Sequence, residues 1–111
     1  LPSFEKASPV FGEGLAWASL NCAYWPVKPT GAPHRIVAKG AAPIVVVGTT
    51  RDPATPYHWA QSLSHQLASG RLLTYEGDGH TAYGRGSDCI DSAIDTFLLR
   101  GMPPAKGKRC T

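Results

Sequence analysis

Apolar positions gather into two strand-like and two helix-like runs, all beyond residue 41. Ala42–Val47 opens on Pro43 and continues with Ile44, Val45, Val46 and Val47. Four consecutive β-branched residues leave neither face polar. The pattern predicts a strand covered on both faces, as in parallel α/β sheets. Gly48 is expected to end it and let the chain turn. Thr55 reads as an N-cap with Pro56 at the first helical position. The next helix is expected to reach about Ser69, with Ala60, Leu63 and Leu67 on its inner stripe and Gly70 at its C′ position. Arg71–Tyr75 predicts a second, shorter strand. Glu76–Gly86 holds four glycines in eleven residues and reads as a loop. Ser87 is expected to cap the last helix, whose first turn carries Asp88 and Asp91. Ile90, Ile94, Phe97 and Leu98 form its apolar face, with Ala93 beside it, and Gly101 ends it.

Residues 1–39 carry no clean period. Gly12, Gly14, Pro26, Pro29, Gly31 and Pro33 interrupt them. One short helix is expected within Leu15–Tyr24, stopped by Trp25-Pro26, because proline disfavours the α conformation in the residue before it. The fold class is therefore α/β, strand-helix-strand-helix with a parallel sheet, preceded by an irregular lead-in with a short helix. The chain divides into three segments: a lead-in over 1–41, a core over 42–101 and a tail over 102–111.

A right-handed crossover makes the two strands parallel neighbours. Chemistry in such sheets collects at the carboxyl ends of the strands. Asp52 lies just past the first strand and His80 just past the second. A carboxylate and an imidazole delivered to one sheet edge are the last two members of a Ser…Asp…His order. No Gly-x-Ser-x-Gly turn exists between Leu1 and Thr111 to supply the first. The bland readings are a surface-loop histidine and an Asp-Pro turn whose carboxylate bonds nearby backbone. Asp78 is a rival acid, but it sits two residues before His80 on the same loop, where turn formation suits it better.

Composition narrows the classes. At 111 residues there is at most one domain. A 42% hydrophobic content suffices for a core, and 17% charged residues argue against a disordered tail or coiled coil. The net charge of +3 is mild, and its one cluster, Lys106–Arg109, reads as a solvated tail rather than a nucleic-acid site. No apolar run reaches the ~18 residues of a membrane span. Leu1 is not an initiating methionine and no signal peptide comes after it, so the N-terminus reads as a processing point, an imposed boundary or a cut. Three cysteines are an odd count. Cys89 and Cys110 flank the last helix, which spans roughly 18 Å. Residues 101–108, at ~3.3 Å each, can run back far enough to join them. The alternative is three reduced thiols in a cytosolic protein. Cys22 is left over. His34, His58 and His65 have no carboxylate or cysteine at metal-ligand spacing, so no metal and no cofactor are expected. The tryptophans and tyrosines read as packing residues, with Tyr83 a candidate for the site rim.

The motif text resembles the C-terminal end of the α/β-hydrolase fold, and more narrowly the TAP-like (tripeptidyl-aminopeptidase-like) hydrolases of actinobacteria. It runs Cys22-x-x-Trp25-Pro26, Pro43-Ile44-Val45-Val46-Val47-Gly48, Asp52-Pro53-x-Thr55-Pro56, Gly79-His80, Cys89, Gly101-x-x-Pro104 and Gly107-x-x-Cys110. The resemblance implies that Asp52 and His80 are a triad acid and base, and it supports pairing Cys89 with Cys110. One departure is Thr81, where a glycine often comes after the histidine in such enzymes. The larger departure is the missing nucleophile, oxyanion hole and most of the sheet. The implied function is the C-terminal part of a secreted or cell-envelope serine hydrolase, a peptidase releasing short peptides from peptide N-termini. Its partners would be the N-terminal remainder carrying the serine and a peptide substrate, with no nucleic acid and no membrane span. The isolated chain is expected to be inactive and prone to self-association. The competing reading is a non-catalytic docking module derived from the same fold.

Overall fold

The computed structural model describes residues 1–18 and 20–111. They fall into two compact units, Leu1–Pro33 and His34–Thr111. The first unit holds three short helices, α1 (Pro2–Ala7), α2 (Gly12–Ala18) and α3 (Leu20–Ala23). The helix expected within Leu15–Tyr24 is present over residues 15–18 and Leu20–Ala23, and Ser19 lies outside the described residues. Gly12 packs where a Cβ would stand 2.1 Å from the Phe4 carbonyl oxygen, so α2 crosses α1 at a contact only glycine permits.

The second unit is the α/β body. Its order is β1 (Ile44–Arg51), α4 (Tyr57–Gln66), β2 (Gly70–Asp78), α5 (Asp88–Arg100) and β3 (Arg109–Cys110). The sheet runs β1-β2-β3 with both pairings parallel. The strand-helix-strand-helix pattern of the sequence is present, and the tail adds a short third strand that no hydrophobic run announces.

Several boundaries differ from expectation, each for a local reason. β1 does not stop at Gly48 but continues to Arg51, pairing Gly48 with Thr74 and Thr49 with Tyr75. Gly48 serves packing instead of turning: a Cβ there would lie 2.8 Å from the Ala60 Cβ and 2.9 Å from the Tyr57 ring. Thr55 is not the N-cap of α4; Pro56 holds that position. The helix ends at Gln66, and Leu67 is already extended. Gly70 opens β2 opposite Ile44, because a Cβ there would stand 2.2 Å from the Ser64 carbonyl oxygen. β2 reaches Asp78, so the glycine-rich loop begins at Gly79. Ser87 is the N-cap of α5 by position, but its hydroxyl donates to the Thr111 carbonyl (3.0 Å) and caps nothing. Gly101 closes α5 in the left-handed region, as its sequence position suggests.

The core is small. Leu73 from β2 and Ile90 from α5 are completely buried, with Ala82, Ala93 and Cys110 around them. Val45, Tyr75 and Ile94 pack against this cluster. Leu98, placed on the apolar face of α5 by periodicity, is exposed, as is Leu63 on α4. Neither face of β1 is fully covered, and Val47 is 36% exposed. Buried Thr74 is satisfied by the Tyr57 hydroxyl at 2.7 Å, which ties α4 to β2. A disulfide joins Cys89 to Cys110, with Cα atoms 5.6 Å apart. It fastens β3 to the first turn of α5, and the Arg109–Glu76 ion pair fastens it to β2.

Candidate active site

β1 and β2 run side by side in register from Ile44↔Gly70 to Thr49↔Tyr75. The next pair is Arg51↔Asp78, so β2 inserts one residue more than β1 between these pairings. Such a bulge bends a strand and re-aims the residues beyond it. Arg51 and Asp78 close the ladder with a two-pronged ion pair, Nε to Oδ1 at 2.5 Å and Nη2 to Oδ2 at 2.8 Å. Asp78 is thereby committed to Arg51 and is no rival acid for His80. Immediately beyond, the chain releases Asp52 from one strand and Gly79-His80 from the other.

Asp52 begins a tight turn. Its Oδ1 accepts the backbone N–H of Ala54 (2.8 Å) and of Thr55 (2.9 Å). The Thr55 hydroxyl donates to Oδ2 at 2.8 Å, and the Thr81 N–H approaches the same oxygen at 3.4 Å. Nδ1 of His80 lies 3.1 Å from Oδ1 and 3.0 Å from Oδ2. The turn-forming and histidine-facing roles of the carboxylate coexist. The Asp52 side chain is 4% exposed and the His80 side chain 51% exposed. The Thr55 N–H is the strongest influence holding the Asp52 carboxyl well below the usual carboxylate range, aided by Ala54 N–H, the Thr55 hydroxyl and His80, against the cost of burial. An ionised carboxylate can only accept, so Nδ1–H of His80 must donate to it. In the neutral ring the lone pair is then on Nε2, the nitrogen that can take a proton from a hydroxyl.

The loop carrying His80 is shaped by positive φ angles at Gly79 (99°), Thr81 (70°), Gly84 (70°) and Gly86 (92°). It is held from two sides. From β1, the Thr49 hydroxyl donates to the Thr81 carbonyl at 3.1 Å. From α5, Asp95 accepts the Tyr83 hydroxyl at 2.7 Å and Asp91 accepts the Gly84 N–H at 2.8 Å. The hydrogen bond to Asp95 also pushes the Tyr83 phenol up from its ordinary value. Beside the pair lies a cavity of about 390 Å³, walled by Val46–Thr49, Pro56, Trp59, Leu63 and Tyr83 among others, with Asp52 and Thr55 in its lining. Tyr83 thus stands on the rim where the sequence put it. Trp59, read as packing, is also in this wall, and its helical position gave no signal of that.

His58 and His65 are exposed on α4, and His34 is exposed ahead of β1. None joins His80. Among the described residues no group of three or more His, Cys, Asp or Glu side chains is arranged to hold a metal ion. No described helix is long and apolar enough to cross a membrane.

The family model of TAP-like protein matches residues 8–110. Serine protease Hip1 of Mycobacterium tuberculosis is 47% identical over 90 residues, which is 81% of this chain and 17% of that protein. Carboxylesterase B of the same species is 45% identical over 89 residues, 80% of this chain and 17% of the relative. Tripeptidyl aminopeptidase of Streptomyces lividans is 38% identical over 96 residues, 86% of this chain and 18% of the relative. The chain therefore spans about a sixth of the length of these curated relatives.

Proposed function

The chain belongs to the TAP-like protein family, and from that premise we propose that it supplies the acid and the base of a serine hydrolase. Asp52 is the acid, His80 the base, and the serine comes from polypeptide outside these 111 residues, which hold no Gly-x-Ser-x-Gly turn. The single observation that carries the reading is the Asp52–His80 contact, 3.0 Å from a nearly buried carboxylate to a half-exposed imidazole. His80 Nε2 takes the proton of the serine hydroxyl as the oxygen attacks a scissile carbonyl, then returns it to the leaving group. Asp52 holds the ring with Nδ1 protonated and stabilises the imidazolium that forms.

The substrate is a peptide, cut near its N-terminus, which accords with the relatives named as a serine protease and a tripeptidyl aminopeptidase. A carboxylesterase among relatives of similar identity favours a second reading, ester hydrolysis by the same pair. The Cys89–Cys110 disulfide suits an oxidising compartment, so the protein works outside the cytoplasm, secreted or in the cell envelope.

The test uses the full-length protein. His80→Ala and Asp52→Asn should each lower kcat by several orders of magnitude; thermal stability should change little in His80→Ala, whose side chain is half-exposed, and fall in Asp52→Asn, which gives up a hydrogen-bonded carboxylate. Near-normal turnover in either variant removes that residue from the triad. The isolated chain should hydrolyse neither a chromogenic tripeptide amide nor an activated ester. A burst with the ester, abolished by His80→Ala, would reveal a nucleophile within these residues.

A further inference from the structure

Every hydrogen-bonding contact of the His80 ring among the described residues is made at Nδ1, with Asp52 and Thr55. The direction of Nε2 is therefore set by the backbone that carries the ring. That backbone is strained one residue on: Thr81 sits at φ 70°. A non-glycine residue there costs about 1–2 kcal/mol, and the conformation persists only where the surroundings over-determine it. On the near side the hold is plain. The Arg51–Asp78 ion pair fixes the end of β2, the Thr49 hydroxyl donates to the Thr81 carbonyl, and Ala82 is buried in the core.

Past Ala82 the chain leaves the core, and residues 83–86 are exposed. Gly84 and Gly86, at φ 70° and 92°, add no stiffness of their own. Apart from one local contact, Arg85 N–H to the Ala82 carbonyl at 3.3 Å, the hydrogen bonds described for this stretch run to α5. The Gly84 N–H donates to Asp91 at 2.8 Å and the Tyr83 hydroxyl to Asp95 at 2.7 Å. Asp91 and Asp95 are four apart and so share one face of the helix. α5 is itself tied to the strand that delivers His80, through the Cys89–Cys110 bridge and the β3–β2 pairing. The loop is thus stretched between two elements whose separation is already fixed. Tyr83 is 51% exposed, so its ring is not held by core packing, and the hydroxyl is what attaches it.

We infer that Tyr83 is a positioning residue for the base: its hydroxyl, latched to Asp95, fastens the loop to α5, keeps Thr81 in the left-handed region and so aims His80 Nε2. The inference rests on the triad reading above and deepens it. Tyr83 acts on His80 through the loop backbone.

The experiment uses the full-length protein and a chromogenic tripeptide amide, with Asp52→Asn alongside. Tyr83→Phe keeps the ring that walls the cavity and removes only the hydroxyl; Asp95→Leu removes the acceptor; Asp95→Asn keeps an acceptor oxygen. Tyr83→Phe and Asp95→Leu should each lower kcat about 3–30-fold, short of the ~10²-fold that a 1 Å misplacement costs, with KM within about twofold. A latch broken once cannot be broken again, so the double variant should lose no more than the worse single one. Asp95→Asn should recover most of the loss. Should Asp95→Leu fail to fold, Asp95→Ala carries the same comparison. A merely structural hydrogen bond would lower the melting temperature and leave kcat alone. Wild-type kcat in Tyr83→Phe, losses that multiply in the double variant, or equal damage from leucine and asparagine overturns the role while Asp52→Asn remains inactive. An active Asp52→Asn overturns the triad reading itself, and this inference with it.

Discussion

At the residue scale, Asp52 has more partners than any other carboxylate in the site, and that has a measurable consequence. A carboxylate held below its usual range contributes stability above its unfolded value of about 3.9. That contribution disappears as pH falls through the lower folded value. Carbon-13 titration of the Asp52 carboxyl should therefore show it still ionised where ordinary aspartates protonate. A midpoint at or above about 3.9 would mean that the hydrogen bonds from Thr55 and Ala54 do not form in solution. Thr81 supplies a second test. It sits at φ 70° with an exposed side chain, directly after the base. An L-residue in the left-handed region costs about 1–2 kcal/mol, and glycine returns about 0.4–1 kcal/mol of that as unfolded-state entropy. Thr81→Gly should thus raise stability by about 0–1.6 kcal/mol net, read as a slightly higher melting temperature; a fall would show that the threonine side chain is engaged. The approach of Asp52 to His80 was legible in the sequence because topology alone brings two strand ends to one edge. The part of Thr55 was not. A threonine before a proline and a helix is indistinguishable, in sequence, from an N-cap, and only coordinates reveal that its hydroxyl turned back to Asp52.

At the element scale, glycines decide how tightly α4 lies on the sheet. A Cβ on Gly70 would meet the Ser64 backbone carbonyl at 2.2 Å, whereas on Gly48 it would meet side-chain atoms of Ala60 and Tyr57 at 2.8 and 2.9 Å. Backbone yields less than a tyrosine ring. Gly48→Ala should cost about 1–3 kcal/mol, the usual range for overpacking, and Gly70→Ala should cost more. Denaturant midpoints of the two variants check the order, and an equal or reversed order would place the strain elsewhere. These contacts also explain which element boundaries the sequence could not supply. The runs Ala42–Val47 and Arg71–Tyr75 announced both strands, but β1 and β2 extend through polar Thr49, Thr50, Glu76 and Asp78. Pairing with a parallel neighbour, not hydrophobicity, carries them to Arg51 and Asp78, where the ion pair stops the ladder. β3 was invisible for the opposite reason. Two residues have no period, and they are held by the Cys89–Cys110 bridge and the pairing of Thr74 with Arg109.

At the scale of the whole molecule, the question is what β1 lacks. It stands at the edge of the sheet among the described residues, with β2 on one side only. Four successive β-branched residues are built for cover on both faces, yet Val47 is 36% and Leu63 40% exposed beside an open cavity that Asp52 helps to line. An edge of this kind pairs with whatever strand is offered. In the full-length protein the partner would be the remainder of the sheet. In the chain alone it would be a second copy. The body also buries few large side chains, Leu73 and Ile90 being the only wholly buried aliphatic ones among the described residues, so little stability is available to resist rearrangement. Exposed Cys22 offers a covalent route to dimers, which reductant removes. The edge offers a non-covalent route, which reductant leaves intact. Sedimentation velocity at micromolar concentration in reductant separates the two, and the chain should still self-associate there. Val47→Lys places a charge on the same edge and should shift the population toward monomer, as lysine does on natural edge strands. A monomer with a sharp, cooperative melt in reductant would mean that the two helices cover β1 well enough, and that the segment stands as a domain without the rest of the sheet.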